Sequence, residues 1–337
     1  MIEARNITRT YTGRGAFTGT RTVHALRGVD FTLPRGGAVS FIGESGCGKT
    51  TLGKVLTGLE TFDEGELLVD GTDLAKLSAR RRAPYFRRIQ MIHQDPYSAL
   101  NPTRDVGQIL GDPLRMRARE TGATRAQQRE RAAELLELVG LRPAVLAKYP
   151  HQLSGGQRQR VVVARALTVD PEALVADESV SMIDVSMRLG ILSLLRDLRE
   201  RLGISLLFIT HDVATARYLG EGGELHVIYR GQVIERGPTD TVVQRPVHPY
   251  TQCLLSAIPV LRGLEEPGPD RLVPLAALDE RAATPGCLFA PRCPFATAEC
   301  AAGRPALTAL PADDAHRHAC LHPRARRVVA TEAAAVR

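Results

Sequence analysis

Gly43-Glu44-Ser45-Gly46-Cys47-Gly48-Lys49-Thr50-Thr51 decides how the rest of this 337-residue chain is read. The stretch fits G-x-x-x-x-G-K-[ST], with Gly43, Gly48, Lys49 and Thr50 in the fixed places. Glycines let the backbone curl until successive N–H groups point at phosphate oxygens. Lys49 adds a point charge that reaches β- and γ-phosphates, and the Thr50 hydroxyl suits Mg²⁺. A helix starting here aims its positive dipole end at the same anion. Outward from the loop the context agrees. Residues 38–42 are a short apolar run, read as a strand feeding the loop. Residues 52–56 read as the body of the departing helix, with Gly58 just past its end. The stretch therefore predicts nucleotide binding.

Downstream, residues 173–178 are an apolar run closed by two carboxylates, Asp177 and Glu178. This reads as a buried parallel strand whose C-terminal end reaches a ligand crevice. Asp177 suits Mg²⁺ through water, and Glu178 is placed to polarise an attacking water. Residues 206–211 read as another buried strand, ending in His211. Residues 89–94 form a short strand ending at Gln94, followed by a turn-rich connector. Ser154-Gly155-Gly156-Gln157 precedes a helix over 161–167, which makes a second anion-binding end. One phosphate loop already holds a nucleotide, so this second end needs its own explanation.

The flanks are plainer. Residues 2–7 and 29–33 alternate as strands around a Gly/Thr/Arg-rich loop over 12–21, and Tyr11 offers a ring to an adenine. Residues 64–71 read as a strand closed by a turn. Residues 106–146 are helical and charged, clearest over 125–141, with Leu135, Leu136, Leu138 and Val139 on one side. Residues 225–236 read as a hairpin turning at Arg230-Gly231. After residue 238 Pro and Ala rise, which places a boundary there.

The net charge of +7 is carried mostly by Arg and reads as solvated faces. Eight Phe, seven Tyr and no Trp leave no basic run interleaved with aromatics, so no nucleic acid is expected. No run of about 18 apolar residues is present, and the first residues lack a signal-peptide core. A cytosolic chain is expected, whose six Cys are not a disulfide framework. Cys47, near Lys49 and a helix start, is expected to be a reactive thiol. Cys287, Cys293, Cys300 and Cys320 suggest a Cys₄ metal site. Their spacing matches neither common zinc pairs nor common ferredoxin runs, so it leaves the metal open, and four reduced thiols remain the alternative.

These motifs together carry a resemblance. The chain resembles the ATP-binding cassette (ABC) proteins over residues 1–237. The phosphate loop, a Q-loop at Gln94, the signature Leu153-Ser154-Gly155-Gly156-Gln157, Asp177-Glu178 and a switch His211 occur in the family's order. Asp184 matches the D-loop aspartate, and Tyr11 matches the adenine-stacking aromatic. Residues 94–102, 149–160, 248–259 and 286–295 look like the dipeptide/oligopeptide/nickel importers, most like the second of their two ATPase subunits.

The resemblance implies an α/β P-loop NTPase fold. Its parts are a RecA-like core with a mixed sheet, an antiparallel β subdomain, and an inserted helical subdomain at about residues 95–156. A small Cys-containing C-terminal domain over 238–337 follows. It implies ATP hydrolysis, with Thr50, Gln94 and Asp177 around Mg²⁺, Glu178 on the water and His211 on the γ-phosphate. Ser154 and Gly156 would cap the nucleotide of a second cassette. The implied partners are a second ATPase subunit, two transmembrane permeases and an extracytoplasmic substrate-binding protein. The implied place is peripheral, on the cytoplasmic face of the plasma membrane. Peptides are the implied cargo, with nickel or short oligosaccharides as alternatives. A soluble ABC ATPase acting on nucleic acid or ribosomes is the rival of another class. The four C-terminal Cys look like the set that carries a 4Fe–4S cluster in peptide-importer ATPases, with a structural role. The sequence departs from the family at His93, where Phe is usual, at Ser179, where Pro is usual, and at Met182-Ile183 in the D-loop.

Overall fold

The computed structural model describes residues 1–15, 19–180, 184–257, 265–266, 285–311, 313–326, 328 and 331–332. The chain opens with two long antiparallel strands, β1 (Ile2–Gly15) and β2 (Gly19–Leu33). The loop expected over 12–21 is instead mostly hairpin. Thr12 pairs with Thr22 and Gly15 with Gly19. Extending the ladder satisfies backbone groups that a loop would leave to water.

The all-buried β3 (Ala38–Ile42) leads through the phosphate loop into α1 (Lys49–Leu56). Then β4 (Glu64–Val69) turns at Asp70 and Gly71, both at positive φ, into β5 (Thr72–Asp73). Helix α2 (Ala79–Arg87) precedes β6 (Ile89–Ile92). Four helices follow: α3 (Pro96–Ala99), α4 (Val106–Thr121), α5 (Arg125–Leu138) and α6 (Gly155–Leu167). Capping boxes start α4, α5 and α6, from Asp105–Gln108, Thr124–Gln127 and Ser154–Gln157. Strand β7 (Ala173–Asp177), α7 (Val185–Leu202), β8 (Ser205–Thr210) and α8 (Val213–Leu219) continue the parallel part.

Strands β9 (Glu224–Tyr229) and β10 (Gln232–Pro238) form the expected hairpin. Its two turn residues, Arg230 and Gly231, both have positive φ, the geometry that matches strand twist. The C-terminal part holds α9 (Thr239–Gln244), α10 (Pro249–Ser256), β11 (Glu265–Glu266), α11 (Ala298–Ala302), β12 (Thr308–Leu310), β13 (Asp313–His318) and β14 (Thr331–Glu332).

The main sheet runs β12-β13-β10-β9-β3-β8-β7-β6. From β9 to β6 every pairing is parallel; β10, β13 and β12 extend the sheet antiparallel. A second, antiparallel sheet runs β2-β1-β4-β5. Period-two alternation explains the layers. Val39, Phe41, Val175, Leu207 and Ile209 face the antiparallel sheet and α1. Leu174, Ala176, Leu206 and Phe208 face the other way, onto α6, α7 and the helical insertion. The C-terminal segment packs Tyr250, Leu288 and Phe289 against Ile42, Val227 and Tyr229 of the main sheet. Its β13 joins β10 through Glu235–His318 and Arg236–Arg317. The buried Glu235 carboxylate accepts from the Val247 and His248 amides at 2.7 and 2.9 Å, and lies 2.7 Å from His316 Nε2. Among the described residues no helix is long and apolar enough to cross a membrane.

A candidate nucleotide site and a four-thiol cavity

The site gathers at the carboxyl ends of β3, β7 and β8, where an open parallel sheet leaves a crevice. The loop after β3 needs its glycines for different reasons. A Cβ at Gly43 would sit 2.3 Å from the Ile228 carbonyl oxygen. Gly48 caps α1 at φ +107°, and a Cβ there would sit 2.1 Å from the Ala25 carbonyl oxygen. Gly46 has open space but φ +81°.

Lys49 is buried, and its Nζ donates to the Gly43 and Glu44 carbonyls at 2.7 and 2.9 Å. The ammonium thus closes the loop around itself. Ser45, Gly46 and Thr50 are exposed at the mouth, and Thr51 is half-buried. Cys47 is buried instead, and burial pushes its thiol up against the opposing pull of Lys49. The reactive thiolate expected there is therefore corrected. Neighbouring charge favours a thiolate, but desolvation outweighs it.

Asp177 ends β7 and is buried. Burial raises its carboxyl, and a hydrogen bond from Thr50 opposes that shift. Among the described residues its Oδ1 has no hydrogen-bond partner. A buried carboxylate oxygen without a donor is costly unless a cation completes it. With the Thr50 hydroxyl beside it, this donor set fits a hard oxygen-seeking cation such as Mg²⁺.

Glu178 follows at φ +43°, a strained backbone for a non-glycine residue, with its N–H bonded to the Ile209 carbonyl at 2.8 Å. Its carboxylate is bracketed. Gln94 Nε2 donates to Oε2 at 2.9 Å, and His211 Nδ1 lies 3.2 Å from Oε1. Gln94 and His211, far apart in sequence, thus converge on one carboxylate. Next to it, Ser179 buries a hydroxyl with no partner among the described residues. His93 is half-buried, and burial, Arg165 and Lys54 push its pKa down.

The signature residues sit apart, at the start of α6. Ser154 Oγ accepts from the Gln157 amide at 3.3 Å while Gln157 Oε1 accepts from the Ser154 amide at 3.1 Å. Gly155 has open space, and a Cβ at Gly156 would sit 2.9 Å from Met187 Cε. Asp184 precedes α7 and is exposed. Ser181, Met182 and Ile183 lie outside the described residues. Tyr11 stands exposed on β1, with Arg9 over its ring at 4.9 Å and its hydroxyl 3.2 Å from Glu60.

Three contacts were not legible in sequence. Arg158 of α6 stacks on Tyr97 of α3 at 4.2 Å, and Arg165 donates to the Ala99 carbonyl. The exposed turn after Gln94 is thereby braced by the signature helix. Arg292 pairs with Glu44 of the phosphate loop.

Cys287, Cys293, Cys300 and Cys320 line one cavity of about 20 Å³ with His248, Phe289, Phe295 and His322. All four are free thiols. Burial pushes Cys287 up, and Cys293 and Cys320 up to about 11. Among the described residues no three ligating side chains stand close enough to hold a metal ion.

Comparison with known proteins agrees with this geometry. A family model described as ABC transporter matches residues 26–181, and one described as oligopeptide/dipeptide transporter, C-terminal region, matches residues 234–300. A probable peptide ABC transporter ATP-binding protein, y4tS, of Sinorhizobium fredii is 40% identical over 96% of this chain and 90% of its own length. The dipeptide transport ATP-binding protein DppF of Escherichia coli is 40% identical over 87% of this chain and 86% of its own. Among solved structures, the ABC cassette MJ0796, a dimer bound to ADP and Pi, matches with TM-score 0.62 and 30% identity. It covers 71% of this chain and 99% of its own length.

Proposed function

The chain belongs to the ABC transporter family of ATP-binding proteins, and from that premise we propose that it is an ATPase subunit energising peptide import through the plasma membrane. One observation carries the catalytic part: Gln94 and His211 meet on Glu178, beside Lys49 and Asp177. The ATP phosphates lie on the loop over residues 43–51, on amides other than that of Glu44, which donates to the Tyr250 hydroxyl. Lys49 moves from the loop carbonyls onto the β- and γ-phosphates. Thr50, Gln94 and Asp177 hold Mg²⁺, which supplies charge neutralisation on the phosphates when bound. Glu178 orients the attacking water and takes its proton, and His211 holds the γ-phosphate. The adenine stacks on the Tyr11 face opposite Arg9.

The signature explains the second anion-binding end. Ser154, Gly155, Gly156 and Gln157 serve a nucleotide held by a second ATPase subunit, and Asp184 faces the same junction. The proposed assembly adds two permeases and an extracytoplasmic substrate-binding protein. The exposed Tyr97 turn, braced by Arg158 and Arg165, is the surface that meets a permease. Movement at Gln94 then reaches the signature helix through that brace. Residues 1–237 act as the nucleotide-binding part and 238–337 as the C-terminal part, with the chain peripheral on the cytoplasmic face.

The four cysteines are proposed to hold a 4Fe–4S cluster with a structural role, supported by their convergence on one cavity. Anaerobically purified protein should be brown, with about four irons per chain. Stoichiometric zinc without visible absorption would overturn this. The ATPase reading is tested by binding: Lys49→Ala should abolish Mg-ATP binding, and unchanged affinity would refute it.

A further inference from the structure

Arg292 lies on the short turn Ala290–Arg292, between Cys287 and Cys293 of the thiol cavity. Its side chain is only 7% exposed and pairs with the phosphate loop. It meets Glu44 of the phosphate loop at two points: Nη1 donates to Oε2 at 2.8 Å and Nη2 to Oε1 at 2.9 Å. Nη1 also lies 3.3 Å from the Tyr229 hydroxyl. From α10, the Tyr250 hydroxyl accepts the Glu44 amide at 2.8 Å. Lys49 takes the Glu44 carbonyl. Glu44 is thus held at amide, carbonyl and carboxylate, and the C-terminal segment supplies two of the three holds.

The cavity and the loop also share one aromatic block. Phe289 lines the cavity and packs edge-on against Tyr229 and Tyr250, each at 5.4 Å. A forked, charge-assisted pair fixes geometry as well as distance. A phosphate loop must keep its amides convergent before the ligand arrives, or binding bears the cost of ordering them. When Lys49 turns to a nucleotide it releases the Glu44 carbonyl. The amide and carboxylate holds remain.

We infer that Arg292 is a positioning residue for the phosphate loop, through which the C-terminal segment sets the affinity for a nucleoside triphosphate. This rests on the reading of residues 43–51 as a phosphate loop. It gives the turn between two cavity cysteines a second task, since Arg292 immediately precedes Cys293.

The test is Mg-ATP titration of the full chain by calorimetry. Variants are Arg292→Gln, Arg292→Lys, Glu44→Gln, the Arg292→Gln/Glu44→Gln double and Lys49→Ala, with thermal melting to confirm folding. Arg292→Gln and Glu44→Gln should each raise Kd about tenfold. The double should be no weaker than either single, because both remove one link. Arg292→Lys should recover part, keeping charge but not the fork. In steady state KM should rise more than kcat falls. Should Arg292→Gln fail to fold, Glu44→Gln removes the same link from the loop side. Wild-type Kd in folded Glu44→Gln, or additive losses in the double, would overturn the inference. If Lys49→Ala abolishes binding while the other variants bind normally, only the positioning role fails. If Lys49→Ala binds normally, the nucleotide site itself is wrong and the inference falls with it.

Discussion

Gln94 Nε2 donates to Glu178 Oε2 at 2.9 Å, so the end of one strand reads the carboxylate at the end of another. With His211 on the opposite oxygen, Glu178 is held as an acceptor at the mouth of the site. Glu178→Gln should keep Mg-ATP affinity and lose turnover by about 10²-fold or more, the scale of a positioned general base. Single-turnover hydrolysis in a complex whose partner site is also disabled checks this. Unchanged turnover there would remove Glu178 from the mechanism.

Gly48→Ala should be severe. The added Cβ meets the Ala25 carbonyl at 2.1 Å, and φ +107° strains any other residue. A loss of about 3 kcal/mol or more is expected from strain and overpacking together. Denaturant unfolding measures it. Gly46→Ala has the unfavourable φ without the clash, so it should cost less.

Cys47 should alkylate slowly in the folded protein at neutral pH, with or without Mg-ATP. Burial holds its thiol protonated despite Lys49. Mass spectrometry after timed alkylation reads it. Rapid labelling blocked by nucleotide would show that the loop opens far more than its packing implies.

Acid should weaken the packing around His248 in the C-terminal part. His248 is fully buried, its pKa pushed by burial from 6.5 down to about 3, and its Nδ1 accepts the Tyr250 amide at 3.1 Å. Because the folded value is depressed, the unfolded chain binds the extra proton between these two values. This contribution to stability is therefore present above pH about 6.5 and is lost as pH falls toward 3. Thermal melting from pH 7 to pH 4 should show a fall that His248→Gln makes shallower. A pH-independent melting temperature would contradict it.

The site was largely legible where chemistry is contiguous. The phosphate loop, Asp177-Glu178 and the signature each declare themselves within a few residues, because one strand end or one helix start must carry them. What was missed depends on distance. The Arg292–Glu44 pair spans 248 residues, and no local pattern marks it. Cys47 looked activated from its neighbours in sequence, and its burial comes from packing that the sequence does not display. Residues 12–15 read as a loop because Gly13 and Gly15 are weak strand formers that outweigh Thr12. Their pairing with residues 19–22 decided otherwise.

ATP turnover by the assembled transporter separates peptide import from the other functions open to this fold. The complex should contain this chain, its second ATPase, both permeases and the substrate-binding protein, reconstituted in lipid. Hydrolysis should rise when the binding protein is loaded with a di- or oligopeptide, and Glu178→Gln in this chain should remove that rise. Hydrolysis indifferent to peptide, but stimulated by nucleic acid in a salt-dependent way, would contradict it.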